Sequence, residues 1–316
     1  MTTSRPTILC PVDFSEASRS ALRYARVVAD HFAARLLILT VEDPLLTEAI
    51  DLGTGHLWDP EDTRRELAHF ASSALGGNPL KGSEVEYEVA VGKPPKQILH
   101  TAQENDCDLI VMSTHGLTGM RKMFFGSTTE RVLRETTVPV LAVVPTEAVP
   151  GSIEDLRRTI GRILVPVDLS AASLHQIQVA RAISEALKVP LLATHVVEPV
   201  RSPLAAKLHL PSIELERRTR AEDALAELLA TVPRQLHPEA LVAYGDPAEE
   251  IAKVARDRRA GLMVIGLHGS PMLGPRMGSV TYRVLCLVPA LVLALPPKQS
   301  ADVLNGTPEA RSLVHK

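Results

Sequence analysis

The sequence predicts an α/β protein built from two tandem doubly wound domains, each a five-stranded parallel sheet flanked by helices. Three observations predict it. The chain has 316 residues, too many for one ordinary α/β domain and comfortable for two. A long pattern recurs in the same order in both halves. Within each half, short apolar runs alternate with helical stripes.

The repeat sets the boundaries. ILCPVDFSEAS at Ile8 to Ser18 returns as ILVPVDLSAAS at Ile163 to Ser173, and VGKPPKQI from Val91 returns as YGDPAEEI from Tyr244. LIVMSTHG from Leu109 returns as LMVIGLHG from Leu262, Gly126-Ser127 as Gly278-Ser279, and Val138-Pro139 as Val288-Pro289. The offset shortens along the chain, as small loop deletions would cause. The domains are therefore placed at 1–147 and 161–297. The segment 148–160, opened by Pro150, Gly151 and Ser152, is read as a linker, and the polar 298–316 as a disordered tail.

In the first half, Thr7 to Val12 reads as a strand covered on both faces, followed by a helix over Ser15 to Ala33 with an apolar stripe. Leu36 to Val41 is a second buried strand, and Asp59-Pro60 opens a helix to Leu75. Glu84 to Val91 alternates like a half-exposed strand, and Pro94 or Pro95 suits the first turn of a helix to Glu104. Leu109 to Met112, Ser127 to Arg134 and Pro139 to Val144 complete the pattern as strand, helix and strand. The second half predicts strands at Ile163 to Val167, Leu191 to Val196, Ala240 to Tyr244, Leu262 to Ile265 and Ala290 to Leu295, with an amphipathic helix over Ile213 to Leu229.

Composition excludes several classes. Hydrophobic residues at 45%, charged residues at 22% and a net charge of -3 give no reason to expect nucleic acid or an acidic membrane surface as partner. The N-terminus lacks a signal-peptide pattern and the longest apolar run is too short for a membrane helix, so a cytoplasmic location is expected. Cys10, Cys107 and Cys286 lie far apart in apolar patterns, which suits buried thiols. There is no G-x-x-x-x-G-K-[ST] loop, no G-x-S-x-G elbow and no metal-ligand spacing, so no catalytic residue or protein-held metal is assigned.

The chemistry is expected beyond the carboxyl ends of the strands, where open α/β sheets bind ligands. Asp13 ends the first strand, and its carboxylate suits a ribose hydroxyl or an adenine edge. Asp13 and Ser15 equally suit capping of the first helix, and Asp168 with Ser170 repeats the arrangement, so both readings stay open. After the fourth strand, Gly116 permits a tight turn and close approach by phosphate oxygens. Gly126 then removes a side chain just before Ser127 and Thr128, which offer hydroxyl and backbone donors at a helix start. The bland alternative is a capping box between Ser127 and Glu130. Arg121 could neutralise phosphate charge and His115 could donate to it.

With these motifs in place, the chain resembles the universal stress protein family in its tandem two-domain form. That family has a strand ending in a V-D motif and a fourth-strand loop of pattern G-2x-G-9x-G-[ST], which surrounds ATP in its nucleotide-binding branch. The first half runs Ser113-Thr114-His115-Gly116, nine residues, then Gly126-Ser127: the spacing matches and the leading glycine is Ser113. The second half runs Gly266-Leu267-His268-Gly269, eight residues, then Gly278-Ser279, with Pro271 and Pro275 inside the loop. The resemblance implies an adenine-nucleotide α-hydrolase-like fold and ATP as ligand, with Mg2+ carried on its phosphates. It implies that Pro11, Val12, Asp13 and Val41 line an adenosine pocket and that Gly116, Gly126, Ser127 and Thr128 hold phosphates. The second-half equivalents are Pro166, Val167, Asp168, Val196, Gly266, Gly269, Gly278 and Ser279. The missing residue and the two prolines rank the second site below the first. In the family the last strands pair, so a pseudo-twofold pair of halves is expected, along with a homodimer and an unidentified protein partner. The leading function is an ATP-binding stress-response regulator; a nucleotide-free interaction scaffold and a slow ATPase are the alternatives.

Overall fold

The computed structural model describes residues 5–45, 47–48, 58–76, 84–114, 126–145, 149–199, 211–267 and 278–297. They form two compact units, one extending to Leu156 and the other spanning Arg157–Pro297. Residues 298–316, expected as a tail, lie outside the described residues.

In the first unit the elements run β1 (Thr7–Pro11), α1 (Glu16–Phe32), β2 (Arg35–Glu42), α2 (Pro60–Ala74), β3 (Val85–Val91), α3 (Pro94–Glu104), β4 (Leu109–Ser113), α4 (Ser127–Glu135) and β5 (Val140–Val143). All strand pairs are parallel and the order is β3-β2-β1-β4-β5. Strand order reverses between β1 and β4. With right-handed crossovers this puts α1 and α2 on one face and α3 and α4 on the other, and opens a crevice above the carboxyl ends of β1 and β4. The sequence dictates these strands because both faces are covered: Ile8, Leu9, Cys10 and the Leu36 to Leu39 run are buried. β3, at the sheet edge, is half-buried along most of its length, as its alternating charges predict.

Local chemistry sets the helix ends. Ser15 is the N-cap of α1, its side chain accepting from the Ser18 N–H, and Asp59 caps α2 by accepting from the Glu61 N–H ahead of Pro60. Three arginines of α1 then tie α2 in place. Arg19 lies over the Phe70 ring, Arg23 Nε donates to the Ala74 carbonyl at 2.8 Å, and Arg26 donates to the Leu75 carbonyl at 2.7 Å.

The second unit repeats the plan. Its elements are β6 (Ile163–Pro166), α6 (Ala171–Leu187), β7 (Leu191–Val197), α7 (Pro211–Leu229), β8 (Glu239–Tyr244), α8 (Pro247–Asp257), β9 (Leu262–Gly266), α9 (Ser279–Leu287) and β10 (Leu291–Leu295). They form a parallel sheet of order β10-β9-β6-β7-β8. Even the register is copied: Ile8 pairs Leu109 in the first unit, and Ile163 pairs Leu262 in the second.

The segment read as a linker contains a helix, α5 (Ile153–Ile160), at whose start the Asp155 N–H donates to Ser152 Oγ at 3.2 Å and Ser152 Oγ donates to Asp155 Oδ2 at 2.9 Å. One expectation needs correction. Of the three cysteines, Cys10 and Cys107 are buried, but Cys286 is half-exposed. Burial pushes the Cys107 thiol up to about 12 and raises Cys10 further, so neither is a thiolate at neutral pH.

Candidate functional site

The first unit holds a cavity of about 290 Å³ at the switch point between β1 and β4. It gathers, from separate stretches of chain, Pro11, Val12 and Asp13 after β1, Val41 near the end of β2, Ser113 at the end of β4, and Gly126, Ser127 and Thr128 at the start of α4. These are the described residues that the sequence placed in the first site. His115, Gly116 and Arg121 lie outside the described residues. Six further lining residues escaped the sequence reading: Ser18, Leu39, Pro94, Ile98, Met112 and Thr129. Some had a legible signal. Leu39 shares a strand face with Val41, and Pro94 and Ile98 belong to the repeated G-x-P block that was read only as a helix start.

The cavity has an apolar wall and a polar end. Leu39, Val41, Ile98 and Met112 supply the wall, and main-chain bonds hold it open: the Val12 N–H donates to the Leu39 carbonyl at 2.8 Å. Asp13 is fixed at the mouth. Its Oδ1 accepts from Ser15 Oγ at 2.5 Å and from the Ser15 N–H at 3.2 Å, while Ser15 also caps α1. Ser15 is thus the cap, and the same serine orients the Asp13 carboxylate at the cavity. Between them Phe14 has a φ of 60, unusual for a bulky residue, and its ring packs edge-on against Phe70 of α2 with centroids 5.4 Å apart.

At the polar end, the N-cap of α4 is Gly126, which offers no side-chain cap. Ser127 is therefore the first helical residue and the capping-box reading fails; Glu130 instead accepts from Arg134 Nη2 at 2.7 Å. The helix start is held from behind. Thr129 Oγ1 donates to the Ser113 carbonyl at 2.8 Å and the Gly126 N–H to the Thr114 carbonyl at 2.8 Å. The start of α4, whose first-turn N–H groups have no intrahelical partner, thus lines the cavity with Gly126, Ser127 and Thr128. That donor set suits an anion. Among the described residues no group of three or more His, Cys, Asp or Glu could hold a metal ion.

The second unit keeps the frame and changes the lining. The Val167 N–H donates to the Thr194 carbonyl at 2.9 Å, and Thr281 Oγ1 to the Gly266 carbonyl at 3.4 Å. Pro166, Val167 and Gly266 are buried, Val196 and the α9 N-cap Gly278 half-buried, and Asp168 and Ser279 exposed; Gly269 lies outside the described residues. Thr194, whose Oγ1 donates to the Leu241 carbonyl at 2.9 Å, stands where the first unit has Leu39, and Val280 where it has Thr128, removing a hydroxyl. Asp168 also sits differently: Oδ1 accepts from the Ser170 N–H at 2.9 Å and Ser173 Oγ at 3.0 Å, and Ser170 makes no side-chain cap.

Comparison with known proteins identifies the family of the chain. The model of the universal stress protein family matches residues 5–144 and again 159–296. The chain belongs to that family. A universal stress protein of Bacillus subtilis is 31% identical over 144 residues, covering 43% of this chain and 97% of the relative. One from Methanocaldococcus jannaschii is 27% identical over 150 residues, covering 43% and 93%. Among solved structures, a universal stress protein from Archaeoglobus fulgidus aligns with a TM-score of 0.62 at 19% identity, over 93% of this chain and 97% of its own. A Pseudomonas aeruginosa protein aligns with a TM-score of 0.64 at 20% identity, over 93% and 94%. These structures share the fold across both halves. Among the described residues, no helix of this universal stress protein is long and apolar enough to cross a membrane.

Proposed function

We propose that this universal stress protein is an ATP-binding stress-response regulator that holds the nucleotide mainly in its first domain (1–147), the second (161–297) being weaker or empty. The observation that carries the reading is the cavity itself, which brings together Pro11, Val12, Asp13, Val41, Ser113, Gly126, Ser127 and Thr128. A volume of about 290 Å³ is at the small end for ligand pockets, which suits an adenosine body with its phosphates at the α4 N-terminus. Asp13 takes a ribose hydroxyl or an adenine edge, and Mg2+ arrives on the phosphates. ATP acts as an effector in the cytoplasm: it biases conformation or a partner surface through its different affinity for two states, and no catalytic residue is assigned. Self-association and a protein partner belong to the same reading.

Mass spectrometry of nucleotide released from freshly purified protein tests it, together with ATP-dependent stabilisation. A ligand that binds the native state at 100 times its Kd raises stability by about 2.7 kcal/mol. Gly126→Glu puts a carboxylate where the phosphates lie, and should lower ATP affinity about 100-fold or more while Gly278→Glu leaves it nearly unchanged. Protein that carries no nucleotide and shows no shift in melting temperature with ATP would point instead to a scaffold.

A further inference from the structure

The rim of the first cavity carries a charge pattern that the repeat inverts. Pro94 and Ile98 of α3 form part of the cavity wall, and the residues beside them, Lys93 at the helix N-cap and Lys96 in its first turn, are exposed cations. Among the described residues neither lysine enters an ion pair. At this end of the sheet Asp13 lines the cavity itself, engaged by Ser15, and further carboxylates follow Val41. Of these, Asp43 accepts from the Leu45 N–H at 2.9 Å, and Glu42 receives the Gly92 N–H on its carbonyl at 2.9 Å.

In the second unit the same two positions are Asp246 and Glu249. There, Arg283 of α9 closes the gap between the helices, with Nη1 at 2.8 Å from Asp246 Oδ2 and Nη2 at 3.6 Å from Glu249 Oε1. Its first-unit counterpart, Arg131, finds lysines at those positions and turns along its own helix to Glu135 at 3.1 Å. α3 packs against α4 as α8 packs against α9. Among the described residues the first unit therefore leaves two ammonium groups without a carboxylate partner, next to residues that line the cavity, where the second has an internally closed acid–base–acid cluster. With a chain net charge of -3, the attraction is local to this rim.

We propose that Lys93 and Lys96 set the phosphate-number selectivity of the first site: they engage the terminal phosphates of a nucleoside polyphosphate, so the triphosphate is preferred over the monophosphate. This rests on the ATP reading above and adds which group tells ATP from AMP. A lysine suits the task because its flexible stem carries a compact point charge to oxygens whose position shifts with ligand length.

The test is calorimetric titration of ATP, ADP and AMP into the full chain and into Lys93→Asp/Lys96→Glu, the pair that copies the second unit. Aspartate is a better N-cap than lysine, so the variant should melt no lower than the parent. ATP affinity is expected to fall about tenfold or more, and AMP affinity to change less than about twofold. The neutral pair Lys93→Asn/Lys96→Gln should fall between, and ATP binding to the parent should weaken with salt more steeply than binding to either variant. An ATP-to-AMP preference that is absent in the parent or unchanged in both variants, with AMP still bound, overturns this inference alone. Failure of the parent to bind any adenine nucleotide overturns it together with the ATP reading.

Discussion

Phe14 and Leu169 both sit at a φ near 60, Ala33 and Lys188 both end a long helix in the left-handed region, and Gly92 and Gly245 both turn at a φ near 146 after the third strand of their half. At these positions the two units of this protein have kept the same backbone conformation. Their side chains around the strand ends have not stayed alike: Leu39 against Thr194, Thr128 against Val280, Lys93 against Asp246. Main-chain hydrogen bonds tolerate substitution because they do not depend on which side chain is attached, so duplication preserved the frame. The lining and rim had no such protection. One unit kept an apolar wall with cations at its mouth, and the other closed its rim on itself.

The strongest way to break the comparison is at Gly261, just before β9. A Cβ there would stand 2.1 Å from the Thr159 carbonyl oxygen and 2.7 Å from that of Ile160, both backbone atoms of α5 that cannot swing aside. Its first-unit counterpart, Asp108, carries a side chain that accepts from the Thr7 N–H at 2.9 Å. Gly261→Ala should therefore destabilise the second unit by about 3 kcal/mol or more, measured by urea unfolding. ATP binding at 25 °C, assigned to the first unit, should persist. Loss of ATP binding in a variant that still folds would move the nucleotide to the wrong half.

A smaller effect separates the units at the Phe14 contact. A bulky residue in the left-handed region costs about 1–2 kcal/mol and persists only where its surroundings hold it. Here the holder is Phe70, itself pinned by Arg19 with its guanidinium 4.7 Å from the ring centroid. Phe70→Leu keeps apolar bulk and removes the ring contacts, so about 1 kcal/mol of first-unit stability should be lost. Because Phe14 separates Asp13 from its partner Ser15, ATP affinity should fall about threefold as well, read by titration at a temperature where the variant is fully folded. A stability loss with affinity unchanged would show that the ring pair supports α2 alone.

Much of this was legible in advance, for physical reasons. Strands covered on both faces appear as unbroken apolar runs, so β1, β4, β6 and β9 were placed to within a residue or two, and the repeat fixed their order. Local spacing was a poorer guide. S-x-x-E at Ser127 and S-x-x-D at Ser152 look alike, and a glycine precedes each, yet only Ser152 and Asp155 bond each other; at α4 the helix begins at Ser127 and Gly126 takes the cap. The Phe14–Phe70 contact joins residues far apart in sequence and leaves no periodic trace. Lys93 and Lys96 were visible in the repeat, but their charge gained meaning only when Pro94 and Ile98 proved to line the cavity.

The gentlest probe uses the cluster that closes the second rim. Arg283 beside Asp246 holds its carboxyl below the usual carboxylate range, helped by the N–H groups of Glu249 and Ala248. A carboxyl depressed on folding stabilises the native state fully above its unfolded pKa, about 3.9, and loses that contribution as pH falls through the folded value. Asp246→Asn keeps an N-capping side chain and removes only the charge. The variant should melt slightly lower than the parent at pH 7, and the two should converge as pH falls through the lowered folded value. The first unit has Lys93 in this place, so Lys93→Asn should give no such convergence. A gap between parent and Asp246→Asn that stays constant from pH 7 to about pH 2 would mean that the cluster contributes through packing rather than charge, and that the rims differ in shape more than in electrostatics.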